Sequence, residues 1–559
     1  MRTPAPMAGP LLAAHLLAAA LLLPRASALA QEAGPGKAEY DRWCAGCHGV
    51  DGKGEGPGAA AMMPRPRDFT TGRYQIRSTP SGALPTDDDL TRVILDGMPG
   101  TAMPGWRDHF GEREVRDLVT HLKSFSPFFE SQPAPEPVET ASAPGVDEAA
   151  LAEGREFYEK IECNKCHGEA GRGDGPSAPT LEDDDDLPVR AADLTENWLF
   201  NGGGSVEEIH ERLVTGLNGT PMPSFQDLIA AEFMTEEQLW HVAQYVRSLA
   251  PEEPPVVREV VRAGRVEGDL PATVDDAAWE TAERFYVPLV GQVIVRPRWF
   301  SPTVDGVWVQ ALHNGSELAM RLVWHDPSES PDPDWDEWQA KVLALMAPAD
   351  SPAGASPDTA APPDTASSEA SPAGTAGGER DTTAVAAASP GASYPDALVV
   401  QFPRAIPEGM ERPYFLMGDD RDPVYLWRWE SGQRASEVLA RGLARYEPLG
   451  GVQPGAVTAE AVFDQGEWRL MLRRTMDAEG VADRLAFEPG RAIPMALFAW
   501  DGSNGETGTQ GAIGSWYFLY LDQPTASSVY VTPVLATLVT AALGVVVVRR
   551  AQRRARKDS

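Results

Sequence analysis

The chain has 559 residues, enough for three or four domains, and its 48 Lys and Arg against 82 Asp and Glu give a formal net charge of −34. So acidic a surface repels a phosphate backbone and excludes the nucleic-acid-binding class. It suits solubility and the steering of a basic partner, and equally a salt-rich habitat. The four cysteines all fall in two short motifs, so no spare pair is left for a structural disulfide.

In chain order, residues 1–30 read as a secretory signal peptide. Arg2 precedes an apolar run from Leu11 to Leu23, and Ala28-Leu29-Ala30 supplies a small-residue cleavage pattern. The run is too short for a membrane anchor and is interrupted by His15.

Two stretches then set the chemistry: Cys44-Ala45-Gly46-Cys47-His48 and Cys163-Asn164-Lys165-Cys166-His167. C-x-x-C-H is the attachment signal of a c-type haem. The thiols add to the two porphyrin vinyl groups, and the adjacent His is held to ligate the iron. A zinc half-site or redox dithiol would use C-x-x-C without the following His. Export agrees with this reading, because thioether attachment takes place outside the cytoplasm.

The sixth ligands follow from an internal repeat. The second motif lies 119 residues after the first, since 167 − 48 = 119, and the same offset relates Gly97 to Gly216 and Met103 to Met222. Met98 is matched by Leu217 and Met103 by Met222, so Met103 and Met222 are the predicted soft thioether ligands. Glycine-rich loops after each motif suit a segment lying flat against a porphyrin. Each copy closes on a helical period, with Val115, Leu118, Val119, Leu122 and Phe125 on one face, then Leu239, Val242, Ala243, Val246 and Leu249. His109, His121, His210 and His241 do not match between copies and read as surface or helix-face residues. The acidic run Asp183–Asp186 reads as a solvated loop.

These features resemble class I-like monohaem cytochrome c domains in tandem, over residues 40–126 and 151–250. The resemblance implies a few helices around each haem, with the attachment helix crossing the last one. The expected organisation is a cytochrome c domain at 31–126, a Pro/Ala/Glu linker at 127–150 and a second cytochrome c domain at 151–250.

After Pro251 the period changes. Short runs such as 307–312, 318–324, 397–402, 424–429, 456–463, 468–472 and 516–521 predict an antiparallel β-sandwich over 256–525. An Ala/Ser/Pro/Thr-rich insertion at 347–393 has no means to bury a core and is expected to be disordered.

The phrases Arg321-Leu322-Val323-Trp324-His325-Asp326, Tyr414-Phe415-Leu416-Met417-Gly418-Asp419, Val424-Tyr425-Leu426-Trp427-Arg428-Trp429 and Phe498-Ala499-Trp500-Asp501-Gly502 resemble the ethylbenzene dehydrogenase gamma-subunit family, which is DOMON-like. The resemblance covers about residues 264–523. It implies a haem b held between a Met and a Lys, and electron exchange with a molybdenum enzyme. Met417 matches the Met. The Lys expected near Gln510-Gly511 is missing, and none occurs between Lys341 and Lys557, leaving His313 and His325 as the domain's only histidines.

Residues 526–548 are uncharged and long enough to cross a bilayer, and the tail 549–559 carries Arg549, Arg550, Arg553, Arg554, Arg556 and Lys557. The positive-inside rule puts that tail in the cytoplasm and the bulk of the chain on the periplasmic side of the cell membrane.

The fold class is therefore multidomain: two small all-α cytochrome c domains, a β-sandwich and one C-terminal transmembrane helix. The functional expectation is a membrane-anchored dihaem electron-transfer protein serving a redox partner, with a molybdenum oxidoreductase or other respiratory complex in view and no catalytic residues of its own. Two alternatives stand beside it: a dihaem peroxidase, and a haem-free docking or ligand-binding sandwich for which the cytochromes are the electron outlet.

Overall fold

The computed structural model describes residues 34–133, 135–139, 142–346, 392–409, 411–443, 445–449, 455–478, 480–523 and 528–556. The expected signal peptide and nearly all of the expected insertion lie outside the described residues. Two compact units are present among the described residues, one comprising those up to Pro254 together with 340–346, the other comprising 255–339 and those from 392 onward.

In the first unit, helices α1 (Lys37–Trp43), α2 (Ala45–His48), α3 (Asp87–Asp96) and α4 (Glu112–Ser124) build one small domain. Helices α5 (Glu148–Lys160), α6 (Asn164–His167), α7 (Val206–Thr215) and α8 (Glu236–Leu249) build another. The sequence starts these helices by the same device. Thr86/Asp89, Ser205/Glu208 and Thr235/Gln238 are reciprocal capping boxes that satisfy orphan N–H groups at the first turns of α3, α7 and α8. The period on α4 buries Val115, Leu118, Val119 and Leu122, and that on α8 buries Leu239, Val242, Ala243 and Val246. Each such Val or Leu side chain withdrawn from water contributes about 1.5–3 kcal/mol.

The last helix of each domain crosses the first very closely. A Cβ on Gly36 would stand 2.2 Å from the Asp117 carbonyl oxygen, and one on Gly154 would stand 2.0 Å from that of His241. Only glycine permits either crossing.

The second unit is a β-structure of strands β1 (Val260–Arg265), β2 (Phe285–Pro288), β3 (Val290–Gly291), β4 (Gly306–His313), β5 (Glu317–His325), β6 (Ala397–Pro403), β7 (Val424–Glu430), β8 (Ser436–Ala440), β9 (Tyr446–Pro448), β10 (Thr458–Asp464), β11 (Glu467–Thr475), β12 (Ala492–Trp500), β13 (Ala512–Ile513) and β14 (Tyr517–Leu521). The main path runs β10-β11-β5-β4-β1-β14-β12-β6-β7-β8-β9. Leu322, Trp324 and Leu470 from one end of that path share a single core with Leu398, Val400, Phe402 and Trp427 from the other, as in a sandwich.

Two features depart from the expected pattern. β1 is parallel to both of its neighbours, β14 and β4, so the structure is not antiparallel throughout. Strand β12, absent from the predicted set, carries Pro494. Its first half, 492–495, pairs with β14, and its second half, 496–500, pairs with β6. Pro494 sits close to where the ladder changes partners, a position that tolerates a missing donor.

The helix Ser528–Ala555 is long and apolar enough to cross a membrane, and its Leu535, Leu538, Val539 and Leu543 side chains are exposed.

Candidate haem centres

Each C-x-x-C-H motif forms a single helical turn. Cys47 N–H donates to the Cys44 carbonyl at 3.1 Å and His48 N–H to the same oxygen at 2.9 Å; Cys166 and His167 repeat this on Cys163 at 3.2 and 2.9 Å. Two thiols and an imidazole are thereby fixed on one rigid element. The His48 Nδ1 lies 3.1 Å from the Arg67 carbonyl oxygen, and the His167 Nδ1 lies 2.9 Å from that of Ala192. A carbonyl partner fixes the proton on Nδ1 and leaves Nε2 as the lone-pair donor, the tautomer an iron ligand needs. Burial lowers both imidazole pKa values and favours the neutral form. The thiols are shifted the other way: burial pushes Cys44 up to about 11 and Cys163 up to about 12, and raises Cys47 and Cys166. A redox dithiol would keep one thiol acidic, so these pairs do not suit that chemistry.

The turn is tied down by a tyrosine that motif reading missed. Tyr40 Oη donates to the Gly49 carbonyl at 2.7 Å, and Tyr158 Oη to that of Gly168 at 2.8 Å. The two tyrosines are 118 residues apart, one short of the repeat. Glu162, in the left-handed region at φ 65, lies in the one-residue insertion that restores register before Cys163.

The loops holding Met103 and Met222 are copies in hydrogen bonding as well as in sequence. Met98 N–H donates to the Met103 carbonyl at 3.0 Å, and Leu217 N–H to that of Met222 at 3.1 Å. Thr101 Oγ1 accepts from Met103 N–H at 3.2 Å and donates to the Met98 carbonyl at 2.7 Å; Thr220 Oγ1 does the same for Met222 and Leu217 at 3.2 and 2.8 Å. Both Met side chains are half-buried, and Met222 and Cys163 edge the same apolar core. In the first domain Cys44 likewise edges the apolar core, and a thioether, an imidazole and two thiols in one small domain are the donor types a covalently attached haem uses. Two of the glycines after the motifs also pack against the attachment turn: a Cβ on Gly56 would meet the Ala45 carbonyl oxygen at 2.6 Å, and one on Gly175 would meet that of Lys165 at 2.3 Å.

The two domains are joined close to the second Met loop. Arg77, fully buried, donates from Nη2 to the Thr215 carbonyl at 2.6 Å and from Nη1 to that of Gly216 at 3.3 Å, the residues that open the Met222 loop. Nε donates to the Pro80 carbonyl and Nη1 is shared with the carbonyls of Tyr74 and Gln75, all at 3.3 Å, and Arg212 Nη2 donates back to the Arg77 carbonyl at 2.6 Å. Burial, with the Arg212 charge adding, lowers Arg77 to about 10, still charged at neutral pH. The acidic run is not simply solvated. Asp184 and Asp185 pair with Arg73 of the first domain at 3.0 and 2.8 Å, although both carboxylates are exposed enough that the pairs add little stability.

Of the four unmatched histidines, His210 is neither exposed nor polar in its surroundings. It is fully buried and stacked on Trp240 with ring centroids 3.6 Å apart, and burial lowers it to about 4. His241 Nδ1 lies 2.7 Å from Glu153 Oε2, and His109 and His121 pack edge-on against aromatic rings.

In the β-unit, Met417 is buried in an apolar cluster with Val399, Leu426, Val438 and Phe498, its backbone left-handed at φ 58. His313 and His325 close β4 and β5, and His313 Nε2 is 2.9 Å from the Asp522 carbonyl oxygen. Close to where the resemblance puts a Lys, a Cβ on Gly511 would meet the Trp500 ring at 2.5 Å.

Residues 31–122 match the family described as cytochrome C oxidase, cbb3-type, subunit III, and residues 151–250 match the cytochrome c family. The chain carries two cytochrome c domains. A Haloferax mediterranei protein named for a respiratory nitrate reductase heme subunit, ORF7, is 27% identical over 124 residues, which is 22% of this chain and 42% of that protein. Cytochrome c55X of Paracoccus denitrificans is 57% identical over 35 residues, 6% of this chain and 34% of that protein. The chain thus spans less than half the length of either curated relative. A chain of the Kuenenia stuttgartiensis reducing HAO-like protein complex is 42% identical, with 39% of this chain and 97% of that one covered at a TM-score of 0.37.

Proposed function

We propose that the protein is a membrane-anchored electron-transfer cytochrome with two covalent haems c, one on Cys44 and Cys47 with His48 and Met103 as axial ligands, the other on Cys166 and Cys163 with His167 and Met222. The observation that carries this is the repetition, bond for bond, of the loops that present Met103 and Met222. A haem held by these residues would supply outer-sphere transfer of one electron. The chain's own contribution is positional. The Arg67 and Ala192 carbonyls set the His tautomers, Thr101 and Thr220 hold the Met backbones, and Arg77 fixes the first domain to the start of the second Met loop. A dihaem peroxidase needs one site that opens to peroxide, and two matched loops favour the relay.

The C-terminal helix is the anchor in this reading, with its basic tail in the cytoplasm and the domains on the periplasmic side. The partner is a respiratory oxidoreductase. The names of the Haloferax and Kuenenia relatives support a redox complex, and a molybdenum enzyme is the partner implied by the gamma-subunit resemblance. The β-sandwich is read as a docking module without haem, supported by the absence of any Lys between Lys341 and Lys557. A haem b on Met417 is the competing reading, supported by the heme-subunit relative and by the strained, buried setting of Met417. A pyridine haemochrome assay with acid–acetone extraction on the full-length protein separates these. Two covalent haems and no extractable haem are expected. One extractable haem b would restore the Met417 site, and fewer than two covalent haems would overturn the relay.

A further inference from the structure

Three carboxylates far apart in the sequence converge at one end of the β-unit. Asp326 follows the last residue of β5, Asp501 the last of β12, and Asp396 precedes the first of β6; Ala397 and Trp500 are register partners, so Asp396 and Asp501 stand side by side. One oxygen from each of the three lies within 4.8 Å of the others, and all three residues are buried, at 0, 0 and 1% exposure for Asp326, Asp396 and Asp501. Among the described residues no Lys or Arg forms an ion pair with any of them.

The surroundings hold these carboxylates in place without neutralising them. Asp396 accepts from Ser330 N–H at 2.7 Å, Gly502 N–H at 2.9 Å and Trp468 Nε1 at 3.1 Å. Asp501 Oδ1 accepts from Ser503 N–H at 2.8 Å, Ser503 Oγ at 2.6 Å and Asn504 N–H at 3.3 Å. Asp326 Oδ1 accepts from Ser328 N–H at 3.2 Å, but its Oδ2 is buried with no hydrogen-bond partner. An orphaned carboxylate oxygen beside two further buried carboxylates is costly, and like charges this close do not ionise together without a compensating cation.

We propose that Asp326, Asp396 and Asp501 are the ligands of a structural calcium ion that ties together the ends of β5, β6 and β12. The donor set is all oxygen, with no imidazole or thiolate among the three, which favours a hard cation over zinc or copper. Calcium accepts six to eight oxygens in irregular geometry, whereas magnesium keeps several waters in a strict octahedron, ill suited to residues so fully buried. The site owes nothing to the haems.

The test uses the full-length protein in detergent, purified without chelator. Elemental analysis is expected to find about one calcium per chain. Extraction with EGTA should lower the melting temperature of the β-unit by about 5–10 °C relative to free calcium held about 100-fold above its dissociation constant. Calcium, and not magnesium, should restore it, with the haem spectrum unchanged throughout. Asp326→Asn should abolish the calcium response; if that variant does not fold, the wild-type metal content and EGTA response decide alone. Absence of bound calcium with no response to EGTA would overturn the site, and so would an Asp326→Asn variant that melts higher than wild type in calcium, the mark of three carboxylates sharing protons. Equal restoration by magnesium would overturn the calcium assignment.

Discussion

The two cytochrome domains agree in how the motif His, the glycine after it and the Met loop are hydrogen-bonded, and differ in the scaffold around them. His48 and His167 both lean on a carbonyl, Tyr40 and Tyr158 both brace the following glycine, and Met103 and Met222 sit in loops with the same bonds. Met98 is matched by a leucine, the buried His210–Trp240 stack belongs to the second domain, and an extra residue at Glu162 shifts α5 by one position relative to the motif. The difference teaches that the repeat preserves the bonding of these segments and lets the scaffold drift.

The comparison breaks most readily at Arg77, which joins the two copies. Arg77→Met removes five donor contacts and leaves the Thr215 and Gly216 carbonyls without them. A loss of about 3 kcal/mol is expected, with calorimetry resolving two separate melting events for the cytochrome domains.

His210 gives the next effect, confined to the second domain. Its folded pKa is about 4 against 6.5 for the free imidazole, so the unfolded chain binds the extra proton between those values. Stability is complete above about pH 6.5 and falls by about 2–3 kcal/mol as pH drops towards 4. His210→Phe keeps a ring on Trp240 and should flatten the acid limb of that domain's melting curve alone.

Gly154→Ala places a methyl on the His241 carbonyl and should cost about 1–3 kcal/mol in urea melts, unless α5 and α8 separate freely. Tyr158→Phe removes one buried bond to the Gly168 carbonyl, for about 1 kcal/mol. Tyr40→Phe should match it, since the two bonds are equivalent. At the small end, Met98→Leu copies what the second domain already has, and should leave both the spectrum and the melting temperature unchanged.

The parts readable from sequence are those fixed by covalent geometry or a strict offset. The vinyl spacing of the macrocycle sets C-x-x-C-H, and the 119-residue repeat pairs the Met103 loop with the Met222 loop, whose hydrogen bonds match. The α4 and α8 faces follow from a simple helical period. Tyr40 and Tyr158 escaped because the one-residue insertion takes them out of that offset. Arg77 and Arg73 escaped because their partners lie more than 100 residues away, and nothing local marks an arginine as interfacial. The Asp326, Asp396 and Asp501 cluster depends on three strand ends meeting, which no spacing encodes. β12 was hidden by Pro494, and the parallel setting of β1 by the absence of any local signal for strand direction.

The central claim is that Met103 and Met222 perform the same task in two copies. The most direct measurement is the far-red absorption band of a methionine–ferric haem pair, recorded with the redox potentials for the wild type, Met103→Leu, Met222→Leu and the double variant. The account predicts that each single variant removes about half of the band and lowers one potential, within the roughly 0.8 V range that axial ligation spans, and that the double variant removes the band. A band that survives Met103→Leu or Met222→Leu at full strength would contradict it.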